Sequence, residues 1–246
     1  VGGAAIAGMA ITMPIMNIAA AFGAMVGVGA AARMSIRLGE GNMQAAEKTL
    51  ANAVMLNLIL GLALMASMLT FLDPILQLFS GGNASEETIG YARDFMRIIL
   101  LGNMTQHMYL GLNEQIRASG YPQKSMRIIL TAVALNLCLN PLFIFKFGWG
   151  IQGSAFSTVI AQCCALSVSL HHFARKSSFI HFKRDIFRFK GSIISNIISI
   201  GMAPFLMNIC TSIVVIFVNK ALKNYGGDLN IGAYGVINRV VMFFIM

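Results

Sequence analysis

Thr49–Leu72 reads TLANAVMLNLILGLALMASMLTFL and contains no Asp, Glu, Lys or Arg. A helix that crosses the hydrocarbon core of a bilayer needs roughly 20 largely apolar residues, and this stretch is long enough. Val1–Ala32, Phe147–Ala174 and Gly191–Asn219 also exceed that length without a charge, while Ile98–Asn113 and Ile128–Phe145 are shorter uncharged blocks. A soluble helical core built from such blocks would have no polar face to turn to water. Composition agrees: 57% of the chain is apolar and 11% charged, against about 25% charged in soluble domains. The fold class read here is an all-α integral membrane protein, a polytopic helical bundle.

Laying the spans out alternately sorts the basic residues onto two sides. One side collects Arg33, Arg37 and Lys48, then Arg117, Lys124 and Arg127, then Arg175, Lys176, Lys183, Arg184, Arg188 and Lys190. The other holds Arg93, Arg97, Lys146, Lys220 and Lys223, and Arg239 falls inside the last apolar run. The positive-inside rule makes the richer side cytoplasmic. The net charge of +9 is therefore a topology signal, and no nucleic-acid partner is expected. With this orientation the first span enters from outside. The chain also begins without a Met and stops inside an apolar run, so it is expected to be an excerpt of a longer protein with at least one preceding span.

Between the spans the punctuation is ordinary. Gly39-Glu-Gly41 ends the first span, Gln44–Lys48 leads into the second, and Leu72-Asp-Pro74 ends it. Ser80-Gly-Gly-Asn83 reads as a turn, and Ser85, followed by Glu86 and Glu87, as a helix cap. Ser119-Gly-Tyr-Pro122 is a tight turn. In Ser178–Lys190, Phe179, Phe182, Ile186 and Phe189 recur at helical spacing with Lys183, Arg184, Arg188 and Lys190 among them. That pattern predicts an amphipathic helix in the cytoplasmic interface, its cations toward anionic lipid headgroups.

The spans carry amides that lipid would not tolerate: Asn17, Asn57, Asn103, Gln106, Asn113, Asn136, Asn140, Gln162 and Asn208. Such groups face a bundle interior or a watery cavity, either as interhelical hydrogen bonds or as a substrate and ion pathway. The candidate pathway set is Asn136, Asn140, Asn103, Gln106, Gln162, Asn17 and Asn208. Pro14, Pro141 and Pro204 fall within or near span interiors, where each removes a backbone hydrogen bond, and are candidate kinks for gating. Seventeen methionines offer adaptable apolar walls. Among the acids, Glu114 is expected to pair with Arg117, and Asp94 with Arg97, each at i, i+3; none stands at the centre of a span. Cys138, Cys163, Cys164 and Cys210 have neither zinc nor thioredoxin spacing and read as small buried hydrophobes. His107, His171, His172 and His181 form no metal-ligand set, and no phosphate-binding glycine motif is present. No catalytic residue, metal site or cofactor is expected. Gly23, Gly27 and Gly29 read as small residues that let helices pack closely.

Four stretches resemble the multidrug and toxic compound extrusion (MATE) transporter family. They are Gly27-Val-Gly-Ala-Ala-Ala-Arg33 with Arg37-Leu-Gly-Glu-Gly-Asn42 and Ala45-Ala46; Asn113-Glu-Gln-Ile-Arg-Ala-Ser-Gly-Tyr-Pro122; Leu135-Asn-Leu-Cys-Leu-Asn-Pro-Leu-Phe-Ile-Phe145 with Gly150-Ile-Gln-Gly-Ser-Ala155; and Gly201-Met-Ala-Pro-Phe205 with Asn219 and Tyr225-Gly-Gly-Asp228. Within the second, Arg117, Gly120 and Pro122 form the cytoplasmic loop motif. The resemblance implies a two-lobe bundle of twelve helices, of which the chain holds the second to seventh and the start of the eighth. Residues 1–177 would be the N-terminal lobe without its first helix, 178–190 the interlobe linker, and 191–246 the start of the C-terminal lobe. It implies sodium- or proton-coupled antiport that exports small organic, often cationic or aromatic, compounds across a bacterial inner membrane by a monomer. One branch of the family has an Asp before the Pro of its fifth helix, part of an ion-responsive network. Here that position is Asn140, which cannot titrate, and the Glu found in another branch's seventh helix is absent from Gly191–Asn219. Coupling then rests on residues beyond this stretch or on a network centred on Asn136 and Asn140.

Two rivals make different demands. A lipid-linked oligosaccharide flippase of the same superfamily would want a more basic cavity than Arg239 alone supplies. A membrane-embedded enzyme would need His, Asp or Glu clustered at one depth.

Overall fold

The structure, a computed structural model, describes residues 3–80, 85–175, 180–182 and 188–245. Its elements are α1 (Gly3–Gly39), α2 (Met43–Thr70), a short α3 (Leu72–Ser80), α4 (Glu86–Ala118), α5 (Pro122–Pro141), α6 (Gly150–Ala174) and α7 (Gly191–Ile245), with one π-helical turn, Leu142–Lys146, after α5. Among the described residues, five helical stretches are long and apolar enough to cross a membrane: Ile11–Gly39, Met43–Thr70, Pro122–Lys146, Gly150–Ala174 and Gly191–Val215. The protein is a multi-pass helical membrane protein.

Helix ends follow the local chemistry. α1 and α4 both close with glycine at positive φ, Gly41 at 71° and Gly120 at 92°. After each, two backbone N–H groups fold back onto the last turn: Gly41 and Asn42 bond to Leu38 and Arg37, and Gly120 and Tyr121 to Arg117 and Ile116. This is the Schellman arrangement, which needs a left-handed residue. Asn42 and Ser85 cap α2 and α4 by accepting from the N–H of Ala45 and Thr88, and Pro122 opens α5, where a missing N–H costs nothing.

α1 and α4 lie at the centre. α1 packs on α7, α4 and α2, and α4 also on α6. At the end of the bundle that holds Asp73 and Arg93, Ile15, Leu72, Leu76, Phe95, Met96 and Ile151 share one buried cluster. Met34, Leu50, Leu112, Ile116 and Phe173 form another toward the end that holds Arg37 and Arg117. The glycines of α1 act as expected. A β-carbon at Gly29 would overlap the Ile197 carbonyl of α7, one at Gly201 would overlap the Met25 carbonyl of α1, and one at Gly23 would overlap the His107 ring. Large apolar side chains point outward instead, among them Leu62, Leu101 and Leu137, as suits a molecule whose solvent is lipid.

Several readings change. The four cysteines are exposed rather than buried; in a bilayer the apolar exterior is also a stable place for them. Asp94 does not pair with Arg97: it accepts from Gln152 Nε2 at 3.1 Å, while Arg93 reaches Asp73 of α3 at 2.6 Å. The turn expected at Ser80-Gly-Gly-Asn83 lies mostly outside the described residues. Lys220 and Lys223, expected between the span Gly191–Asn219 and the start of a further helix, lie inside α7, which runs on for 55 residues. No proline follows Pro204, and glycines such as Gly226 and Gly227 weaken a helix by only about 1 kcal/mol each. The amphipathic helix expected over 178–190, with Lys183 and Arg184, falls largely outside the described residues, and its described parts, 180–182 and 188–190, are not helical. Phe182 packs on Phe173 with ring centroids 5.7 Å apart, and Arg188 and Lys190 are exposed.

Candidate functional site

Asn136 and Asn140 stand one turn apart on α5, on the side facing α6. There Ser154, Ser157 and Thr158 repeat at helical spacing, so their hydroxyls form one stripe. The two stripes join in a ring, closed by the long contact of Asn136 Nδ2 to the Ser157 hydroxyl at 3.5 Å. Asn140 Nδ2 donates to Asn136 Oδ1 at 2.9 Å. Asn136 Nδ2 donates to Thr158 Oγ1 at 3.1 Å, and the Ser157 hydroxyl donates to Asn140 Oδ1 at 2.7 Å. The Thr158 hydroxyl in turn donates to the Ser154 carbonyl at 2.9 Å. The ring carries no formal charge. It is a set of oriented dipoles at membrane depth, where a paired amide is tolerable and an unpaired one costly.

The ring forms one wall of a cavity of about 240 Å³. α1 supplies Met9, Thr12, Met13 and Met16 to the opposite wall, and α4 supplies Phe95 and Ile99. One side of the space is thus polar and neutral, the other soft and apolar. Pockets for drug-sized ligands run from about 300 Å³ upward, so this space alone suits an ion with water, or part of an organic molecule.

Of the seven candidate amides the structure brings only Asn136 and Asn140 together. Asn17, Gln106 and Gln162 are half-buried and lie away from the cavity lining. Asn208 donates to the Pro204 carbonyl at 2.8 Å within α7. Asn103 is buried, and its Nδ2 finds no partner among the described residues; the same holds for Asn57 Oδ1, His107 Nε2 and Asn113 Oδ1. These atoms mark a second polar layer along α4, packed against α1 and α2. The prolines divide as well. Pro14 is buried inside α1 beside Met13, and Pro204 lies within α7. Pro141 ends α5 where the backbone passes into the π-turn, a device that shifts the facing of the residues after it. In the loop motif Arg117 pairs with Glu114, as expected.

The partners on α6 were missed. Their signal was present: Ser154, Ser157 and Thr158 recur at i, i+3 and i+4 inside an uncharged span. So was Asn52, which is fully buried. Its Oδ1 accepts from Lys190 N at 2.9 Å and its Nδ2 donates to the Arg188 carbonyl at 3.2 Å, so it ties α2 to the chain just before α7.

Known proteins share this fold. The chain is 29% identical over 238 residues to the multidrug export protein MepA of Staphylococcus haemolyticus (strain JCSC1435), covering 97% of this chain and 52% of that protein. The chain therefore spans about half the length of this relative. Among solved structures, the MATE multidrug transporter DinF-BH, solved in complex with a ligand, superposes with a TM-score of 0.91 at 32% identity, over 99% of this chain and 54% of that one. An inward-facing multidrug resistance MATE family transporter, at 23% identity, shares the fold with a TM-score of 0.90 over 98% of this chain and 55% of that one. The family profile described as MatE matches residues 1–142, a run that takes in α1 to α5 and both ring asparagines, and on this ground the chain belongs to the MatE family.

Proposed function

We propose that the chain is the greater part of one lobe, with the start of a second, of a transporter that exports small organic compounds across a bacterial inner membrane by alternating access, driven by influx of sodium or protons. The observation that carries this reading is the neutral ring whose Asn136, Asn140 and Thr158 line the wall of a methionine-faced cavity, with Ser157 buried behind them. A polar wall can hold a coupling ion or a polar substituent, and methionines adapt to apolar groups of many shapes. The names of the relative and of the structural neighbours support export of drugs.

Asn136 and Asn140 act here as oxygen and N–H dipoles, and coupling by protonation would need another group. Transport further requires the cytoplasmic contact of α1 with α7 to part, since Gly29 and Gly201 close that end while the cavity lies toward the other. The residues lining the cavity include no Lys or Arg, which favours organic export over a flippase that must hold phosphates.

The test uses the full-length chain in cells, with efflux of ethidium followed by fluorescence. Wild type and Asn140→Ala run side by side at matched protein levels, and the sodium and proton gradients are collapsed in turn. Gradient-dependent efflux that the variant loses supports the proposal. Efflux that survives the substitution removes Asn140 from the pathway, and no efflux of any organic cation despite good expression favours the flippase.

A further inference from the structure

A larger cavity, about 610 Å³, opens elsewhere, between the first turns of α5 and the last turns of α6. Its floor is apolar, made by Ile128, Ala132, Leu135, Ala165 and Val168, and its mouth carries Lys124 and Arg127. Lys124 Nζ donates to His172 Nδ1 at 2.7 Å. His172 is buried and sits edge-on to Tyr121 at 5.0 Å. The ammonium is therefore positioned by a neutral acceptor, and its charge is not cancelled. Neither Lys124 nor Arg127 forms an ion pair with a carboxylate among the described residues. α5 also starts here, with no side chain capping its first turn, so the positive end of its dipole adds to the two cations.

The basic residues assign this end of α5 to the cytoplasm. Within this chain Met126, Leu130, Val133 and Leu137 of α5 are more than half exposed. A molecule already in the inner leaflet can enter sideways between α5 and α6 without crossing water. Cations at headgroup level above an apolar cleft match an amphiphile with an anionic head. A guanidinium and an ammonium side by side suit a phosphate, the first as a fork and the second as a point charge.

We propose that this cleft binds an anionic phospholipid of the cytoplasmic leaflet, with its phosphate between Lys124 and Arg127 and an acyl chain along Ile128–Leu135. The site lies apart from the polar ring and does not depend on what the transporter carries.

The experiment takes the full-length protein, purified and delipidated in detergent, and counts bound lipid by native mass spectrometry. Dioleoylphosphatidylglycerol and dioleoylphosphatidylcholine are titrated separately, with and without inorganic phosphate. Three variants are compared: Arg127→Gln, the double variant Lys124→Gln with Arg127→Gln, and Ala132→Trp, which fills the floor and keeps both cations. The double variant is expected to hold phosphatidylglycerol about ten-fold more weakly, with phosphatidylcholine unchanged and with Arg127→Gln intermediate. Ala132→Trp is expected to lose the same lipid. Retention of phosphatidylglycerol in all three variants overturns the site, as it would if another helix of the full chain fills the cleft. Equal loss of both lipids overturns it too, since that is the mark of a disturbed fold. Displacement of the lipid by millimolar inorganic phosphate would make the ligand a free anion and overturn the lipid assignment.

Discussion

The two halves of α1 meet their neighbours in opposite ways. Toward its C-terminal end, Gly23, Gly27 and Gly29 let α4 and α7 approach until no β-carbon would fit at Gly23 or Gly29. Toward its N-terminal end α1 still packs on α4 through Gly8, but Met9, Met13 and Met16 face Asn136 and Asn140 of α5 and Ser154 and Thr158 of α6 across a cavity. The same helix is a seal at one end and a wall at the other. Side-chain volume makes the difference. Without a β-carbon, dispersion and backbone dipoles act at the closest range a helix pair can reach, whereas a long thioether fills space loosely and can be rearranged. Stability is therefore expected to reside at the glycine end and transport at the methionine end.

Each substitution below can break that division or sharpen it. Gly201→Leu should act most strongly, because its β-carbon overlaps the Met25 carbonyl and forces α1 and α7 apart. A loss of about 3 kcal/mol or more is expected, read as a large drop in the melting midpoint of the full-length protein. Gly39→Ala is the control, with open space around it and a change within about 0.5 kcal/mol. An unchanged melting point in Gly201→Leu would refute the seal.

Asn52→Ala belongs to the same end and should cost about 2 kcal/mol, through the loss of buried hydrogen bonds to the chain before α7. Hydrogen exchange at the Lys190 amide should accelerate by about ten-fold as that segment is released. At the cavity end, Asn140→Ala should cost only about 1 kcal/mol of stability while abolishing most efflux. If melting point and efflux fall together, the ring is a structural element and not part of a pathway. Thr158→Val keeps the shape and removes one hydroxyl. Its effect on stability should be about 0.6 kcal/mol, the ordinary size of a hydrogen bond between membrane helices, and efflux should fall less than in Asn140→Ala.

The spans were legible because lipid demands a long uncharged run, and the runs around Thr49–Leu72 and Gly150–Ala174 meet that demand without ambiguity. Turns at Gly41 and Gly120 were legible because positive φ selects glycine. The pathway was only partly so. Nine intramembrane amides could be named, but an amide has no signature that separates a cavity wall from a helix contact. Asn208 turned to its own helix, Asn103 entered the layer along α4, and only the two asparagines of α5 joined across to α6. The serines and threonine that complete the ring were overlooked, since hydroxyls in membrane helices commonly satisfy themselves on the preceding turn. Ser169 does so with the Ala165 carbonyl at 2.9 Å.

By itself the sequence determined that this is a membrane bundle, where its helices begin and end for the most part, and which family it resembles. Those properties depend on local composition, on the length of uncharged runs and on motifs that lie within a few turns. Only the tertiary structure decided that α1 seals one end and lines a cavity at the other, that Asn136 and Asn140 close a ring with α6, that Asn52 holds the approach to α7, and that the cysteines face outward. Each of these depends on the direction in which a side chain leaves its helix and on what lies across the gap. Helix periodicity narrows that direction to a face, and packing against distant segments selects which face meets which.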